Sequence, residues 1–367
     1  MRIIVPFREK ESVWVDRADL LTGKLPPFLF GFPVRTNLPV FRFSRVNRLI
    51  LEPYLVYLME NGYSTIGTDE LTAIVAGERE RKAKEVLLTF DHGWSSLWTV
   101  AAPLLNRYGL KAVAYVIPGR IEEAETCRPI MGEPGHDPDI DRSNRPFISW
   151  KELEQIAHQG PIEIQSNSYS HAKIFSHDKF LKLIEPETRI PYLSWPMVSD
   201  PGDPLQFLSS TRVFHPLLPT RSRLSDGMRH DVDPSVVKRI HDDPDAAPYL
   251  FKQHFLQIET EAEREQAIRD EIELSREVLE ERLKVSVNHF AFPWGISGKI
   301  AQKVLQDSAY LTAFSERRSS LQAVRKGQHP FRLGRLPHQY IRALPGRRRK
   351  RYWRITRDIS RKEMEIA

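Results

Sequence analysis

Cysteine is almost absent from this chain. Among its 367 residues there is one, Cys127, which excludes an intramolecular disulfide and any zinc cluster built from thiolates. Long apolar runs are missing as well. The start, Met1-Arg-Ile-Ile-Val-Pro-Phe-Arg-Glu-Lys, holds three consecutive apolar residues, too few for a secretory leader, and no later run approaches a membrane span. A cytoplasmic protein is the expectation. Internal repeats and low-complexity linkers are also lacking. So is charge imbalance in the body of the chain. The net charge is +6, and the stretch from Gly346 to Ala367 holds nine Lys/Arg against three Asp/Glu, which accounts for all of it. A neutral body makes a nucleic-acid binder improbable, whereas the tail core Arg347-Arg-Arg-Lys-Arg-Tyr-Trp-Arg354 suits an anionic membrane surface.

What is present is an ordinary globular composition, 41% hydrophobic and 28% charged, long enough for a full core. Strand-like and helix-like segments alternate. Residues 47–61 read as a helix ending before Gly62, and Thr68-Asp69-Glu70 opens another. Val86 to Phe90 reads as a strand. Leu97, Val100, Ala101, Leu104, Leu105 and Tyr108 fall at helical spacing, closed by Gly109. Lys111 to Ile117 and Ile162 to Ser166 read as further strands. Ser149 with Glu152, and Thr260 with Glu263, have capping-box spacing. In the second of these helices Glu265 and Arg269 are spaced for an i,i+4 ion pair. From about 172 to 258 prolines recur and periodicity fails, as in a functional insertion. Repeated βα units predict a barrel or an open parallel sheet.

Two polar clusters sit at predicted strand ends, where α/β folds assemble active sites. The first is Thr89-Phe90-Asp91-His92-Gly93-Trp94. The second is Glu163-Ile-Gln-Ser-Asn167-Ser-Tyr169-Ser-His171. Taken singly, each histidine suits a surface or hydrogen-bonded role better than a ligand role. A third element, Phe290-Ala-Phe-Pro293-Trp294-Gly295, follows a Glu/Arg-rich helix.

In order and spacing these elements resemble the polysaccharide deacetylase family, the NodB-homology group of carbohydrate esterases. Its first motif is Thr-Phe-Asp-Asp-Gly and its second His-Thr-x-x-His. The likeness spans roughly residues 40–171 and 258–340. It implies a distorted (β/α)7-type barrel, here over residues 1–345 with the insertion at 172–258 and a basic tail at 346–367. It also implies removal of an acetyl group from a sugar by metal-activated water, with a divalent metal, zinc by preference, as cofactor and a carbohydrate as partner. Carried over residue by residue, Asp91 is the base, while His92, Asn167 and His171 are the metal ligands. His338 in Gly334-Arg-Leu-Pro-His is the candidate general acid by position. Trp94, Tyr169, Pro293 and Trp294 would contact the sugar.

Two ligand positions depart from the family pattern. Asp-His-His would bring one negative charge to the metal, whereas His-Asn-His brings none. An amide oxygen is also a weak ligand for a transition metal. Asp91 itself, or His215, His230, His241 or His254 of the insertion, could complete the set. The expected role is a surface-glycan deacetylase. The alternatives are a glycan-binding or assembly protein on the same fold without metal, and a surface-association protein that works through its basic tail.

Overall fold

The computed structural model describes residues 25–32, 34, 37–143, 145–183, 215–250, 256–315 and 321–365. Its centre is one curled parallel sheet. We label the strands β1 (Val40–Phe43), β2 (Ser64–Thr65), β3 (Glu85–His92), β4 (Ala112–Val116), β5 (Ile162–Ser166), β6 (His289–Ala291), β7 (Thr312–Phe314) and β8 (Leu336–Pro337). They run in the order β7-β6-β5-β4-β3-β1-β8, with β2 paired to the start of β3. Every one of these pairings is parallel. Leu333 bridges to Phe314, and β8 then pairs with β1. Residues 333–337 thereby join the two edges of the sheet. This is the NodB-type barrel that the motifs imply.

Burial on both faces explains why β3 reads as a continuous apolar run rather than an alternation. Leu87, Val113, Tyr115, Ala291 and Phe314 fill the barrel interior. Leu88, Phe90, Ala114, Ile164 and Phe290 point outward into a larger layer beneath the helices. Strand periodicity then places Thr89 and Asp91 on the inner side of β3.

The helices stop and start where local chemistry dictates. We label them α1 (Arg48–Glu60), α2 (Thr68–Ala76), α3 (Ala102–Tyr108), α4 (Trp150–Gln159), α5 (Glu261–Leu283), α6 (Lys299–Asp307) and α7 (Tyr352–Glu365). Ser149 and Thr260 cap α4 and α5 with complete capping boxes. Gly109 ends α3 in a left-handed conformation at φ 62°. The helix expected from Leu97 onward begins instead as a π turn, Leu97–Ala101. Pro103 is the cause: it has no N–H for the Thr99 carbonyl four residues back. The Met131 N–H takes that carbonyl at 2.8 Å.

Two local expectations are revised. Arg269 pairs with Glu273 at 3.0 Å, one turn ahead, rather than with Glu265. The stretch after residue 172, expected to be irregular, holds three short antiparallel pairs: Lys173–Phe175 with Thr220–Ser222, Lys182–Leu183 with Pro216–Leu217, and His230–Val232 with Leu256–Ile258. Strands of two or three residues are too short to leave a period in the sequence. Two polar anchors tie this insertion to the segment just before α5 and to the start of α6. Arg223 meets Glu259 through two bonds of 2.7 and 2.8 Å, both side chains fully buried. Asp226 accepts from the Lys299 and Ile300 N–H groups at the start of α6. No helix among the described residues is long and apolar enough to cross a membrane.

Candidate active site

Asp91 lies near the end of β3 and is 5% exposed. Both its oxygens accept from one guanidinium: Arg335 Nη1 at 2.6 Å and Nη2 at 3.0 Å. Arg335 belongs to the segment that joins the sheet edges, and its side chain is as buried as the carboxylate. Its guanidinium carbon lies 5.1 Å from the Phe314 ring centroid and 5.7 Å from that of Tyr115. Burial pushes the Tyr115 phenol far up its range. The result is a two-pronged ion pair packed against two aromatic rings that meet edge-on, a geometry that suits arginine rather than lysine.

Sequence reasoning missed Arg335. It looked for an arginine close before Phe290 and found none. The signal lay in Gly334-Arg-Leu-Pro-His, the run singled out for His338. That histidine is held elsewhere. Its ring stacks on Phe43 at 4.7 Å, meets Tyr54 edge-on at 5.3 Å, and its Nδ1 lies 3.3 Å from the Arg42 carbonyl oxygen. Phe43 belongs to the outer core layer.

The other half of the site does converge. The rings of His92 and His171 meet edge-on with centroids 4.8 Å apart, and His171 lies 4.9 Å from Trp294. Four residues of this small region adopt left-handed backbone angles that side chains other than glycine disfavour: His92 (φ 79°), Ser168 (67°), His171 (58°) and Trp294 (59°). Such conformations persist only where surrounding contacts impose them, and they gather at functional sites. Here the contacts are visible. Glu271 of α5, part of the Glu/Arg-rich helix, accepts from the Ser170 N–H at 3.0 Å and from the Ser170 hydroxyl, while its carbonyl takes the Tyr169 N–H at 2.9 Å. One glutamate thus holds the turn that presents His171. Burial raises the pKa of that carboxyl.

Trp94 is nearly buried. It stacks on Phe147 at 4.5 Å, with the Arg45 guanidinium 3.8 Å above its ring. Its indole N–H donates to His92 Nδ1 at 3.2 Å and to Ser44 Oγ at 3.1 Å. Trp294, half-buried, carries the Lys173 ammonium 4.0 Å from its ring centroid. Pro293 is buried beside it. Tyr169 is half-buried, and its carbonyl accepts from the Gly119 N–H. The four expected sugar contacts therefore flank the histidines, and two of them already carry cations on their faces.

The donor set can be compared with what a divalent metal needs. Asn167 Nδ2 donates to the Ala291 carbonyl at 2.7 Å, and its buried Oδ1 has no hydrogen-bond partner among the described residues. That oxygen is an available acceptor. His92 is different. An indole N–H can only donate, so its contact with His92 Nδ1 favours the neutral tautomer that carries the ring proton on Nε2. Loss of solvent, then the nearby charges of Arg42, Arg335, Arg45 and Arg120, take the His92 pKa down to about 3. Burial, His92, Lys173 and Arg120 hold His171 well below its usual value. In that tautomer one imidazole and one amide oxygen remain for a cation, short of the three protein ligands a catalytic zinc takes, and the charges that lower the His92 pKa are all positive. Among the described residues no group of three or more His, Cys, Asp or Glu could hold a metal ion. His215 stacks on Phe175, His230 bonds the Met228 carbonyl, and His254 lies outside the described residues. The residues present do not fit the metal that the resemblance implies.

Known proteins bear out the resemblance and the fold. The family model for polysaccharide deacetylase matches residues 78–190, which contain both motifs. YxkH of Bacillus subtilis (strain 168) is 25% identical over 130 residues, 35% of this chain and 39% of its own. The poly-β-1,6-N-acetyl-D-glucosamine N-deacetylase of Escherichia coli (strain K12) is 25% identical over 129 residues, 35% of this chain and 18% of its own. The matched stretch therefore spans well under half the length of either relative. The BpsB deacetylase domain from Bordetella bronchiseptica is 14% identical, with a TM-score of 0.50 over 82% of this chain and 95% of that one. That likeness is one of fold. The resemblance to the polysaccharide deacetylases, with departures at the ligand positions, holds.

Proposed function

We propose that this relative of the polysaccharide deacetylases removes an acetyl group from an N-acetylated sugar of a bacterial surface glycan, with Asp91 as the base. The buried Asp91–Arg335 pair carries this reading. A carboxylate fixed at a strand end, with both oxygens oriented by one guanidinium, is placed to take a proton from a water molecule. That water's oxygen would bond to the acetyl carbonyl carbon. The C–N bond then breaks, the nitrogen leaves as the free amine, and acetate is released. The leaving nitrogen needs a proton. His338 is the candidate by sequence position, and its packing against Phe43 and Tyr54 gives it no further support.

Because the residues do not fit a divalent cation, Asp91 would activate the water by itself. The chain's own groups supply the positive field instead. Arg42, Arg45, Arg120 and Arg335 act on His92, and fixed positive charge at a dry site stabilises an oxygen that becomes negative in the transition state. Trp94 and Trp294 would hold the apolar face of the sugar. A cytoplasmic place of action belongs to the same proposal and rests on the sequence reading alone.

A second reading is favoured by the neutral, cation-surrounded ligand positions: a glycan-binding or assembly protein on this fold that releases no acetate. The two separate cleanly. Purified protein is incubated with N-acetylglucosamine oligomers while acetate is measured, with and without chelator. The first reading expects release that chelation leaves intact and that falls about 100-fold or more in Asp91→Asn, the scale of a lost general base. Oligomer binding with no acetate from the wild-type chain would establish the second instead.

A further inference from the structure

The basic tail is a folded element. In α7 (Tyr352–Glu365), Ile355 is buried in the main core and Tyr352 stacks on Tyr340 at 5.8 Å. Arg349, just before it, is tied to the loop 28–32: it donates to the carbonyls of Leu29 at 2.8 Å and Phe28 at 3.3 Å. The ring of Phe30 lies 5.4 Å from that of Tyr352. These contacts bring the loop that carries the exposed Phe30 and Phe32, at 39% and 62%, beside the helix that carries Trp353, exposed at 62%. Beside them a groove of about 380 Å³ is lined by Arg349, Lys350, Arg351, Trp353, Arg354 and Arg357. Among the described residues two acids answer this charge, Glu60 at 3.9 Å from Arg348 and Asp358 at 3.5 Å from Lys350.

We propose that this face docks on an anionic lipid bilayer, the groove taking phosphate headgroups while Phe30, Phe32 and Trp353 enter the headgroup layer. Exposed phenyl and indole rings cost free energy in water and are at home at the membrane interface, where Trp is enriched. Clustered Lys and Arg add attraction to anionic lipid. A nucleic acid would meet the same cations, but phenyl rings on a loop suit acyl chains, and the neutral body gives no wider basic footprint. The helix is held by its buried face, so the cations and rings are presented together without a folding step.

Co-sedimentation of the whole chain with phosphatidylcholine vesicles, with and without phosphatidylglycerol, tests this. The wild type is expected to bind the anionic vesicles at least about tenfold more tightly than the neutral ones, and less well as salt rises. The triple variant Arg351→Gln, Arg354→Gln, Arg357→Gln should lose most of that binding while its circular dichroism stays unchanged. Trp353→Phe should abolish the emission blue-shift that accompanies binding. Equal sedimentation with both vesicles, or none with either, overturns the proposal. So does an oligonucleotide that binds more tightly than the vesicles, or inorganic phosphate that saturates the groove of a chain which ignores lipid.

Discussion

Asp91 and His92 are neighbours in the chain, yet their surroundings differ in kind. Asp91 faces a single matched cation, and each of its two oxygens accepts from that guanidinium. His92 leans on an indole N–H and a serine, next to a second imidazole, with positive charge acting on it from four arginines. The position that the resemblance gives to the base keeps a buried charge together with its counter-charge. The ligand half has become a neutral, hydrogen-bonded assembly. What distinguishes the two is compensation. A buried charge persists only with a partner, whereas neutral imidazoles tolerate burial beside cations because they remain uncharged.

The largest effect is expected on the charged half. Arg335→Ala leaves Asp91 buried without its counter-charge and should cost about 3–5 kcal/mol of stability in denaturant unfolding. The double variant Asp91→Leu, Arg335→Leu should cost clearly less than the single one, because no lone charge is left. Additive or larger losses in the double would mean that the pair is held by packing alone.

The neutral half should respond to pH instead. An imidazole held below its ordinary pKa stays neutral in the folded protein while the unfolded chain takes up a proton, so acid favours unfolding. His289, which bonds Thr312 at 2.8 Å behind the site, is taken by burial to about 4. Its contribution is complete above about pH 6.5 and is lost as pH falls toward about 4. His171, also held low, acts in the same sense. Each should remove about 1.4 kcal/mol per pH unit below about 6.5. Urea unfolding near pH 7 and near pH 5 reads the slope, and His289→Gln should reduce it. A flat profile would show that water reaches these rings.

Much of this architecture was legible in the sequence, for identifiable reasons. The run into Asp91 is apolar because β3 is buried on both sides, and the segment Ile162–Ser166 is the strand it was read to be. Both capping boxes formed because their signals are local. Arg335 was not legible, since it stands 244 residues from Asp91 and joins it only when residues 333–337 close the sheet. Nor was the donor role of the Trp94 indole, which depends on a left-handed turn at His92.

The smallest predicted effect is the most pointed. Trp94→Phe keeps an aromatic ring against Phe147 and beneath Arg45 but deletes the indole N–H. The loss of one hydrogen bond should cost about 0.5–1.5 kcal/mol. The larger change is in choice. With the indole gone, Ser44 Oγ can either donate to or accept from His92 Nδ1, so the proton is free to occupy either ring nitrogen. Nitrogen-15 spectra of the histidines should show the wild-type His92 with its proton on Nε2, unmoved by added zinc. In Trp94→Phe the two tautomers should mix, and zinc should then shift the resonance. A wild-type His92 protonated on Nδ1, or one that zinc shifts without any mutation, would return the ligand half to the family's pattern and erase the contrast with Asp91.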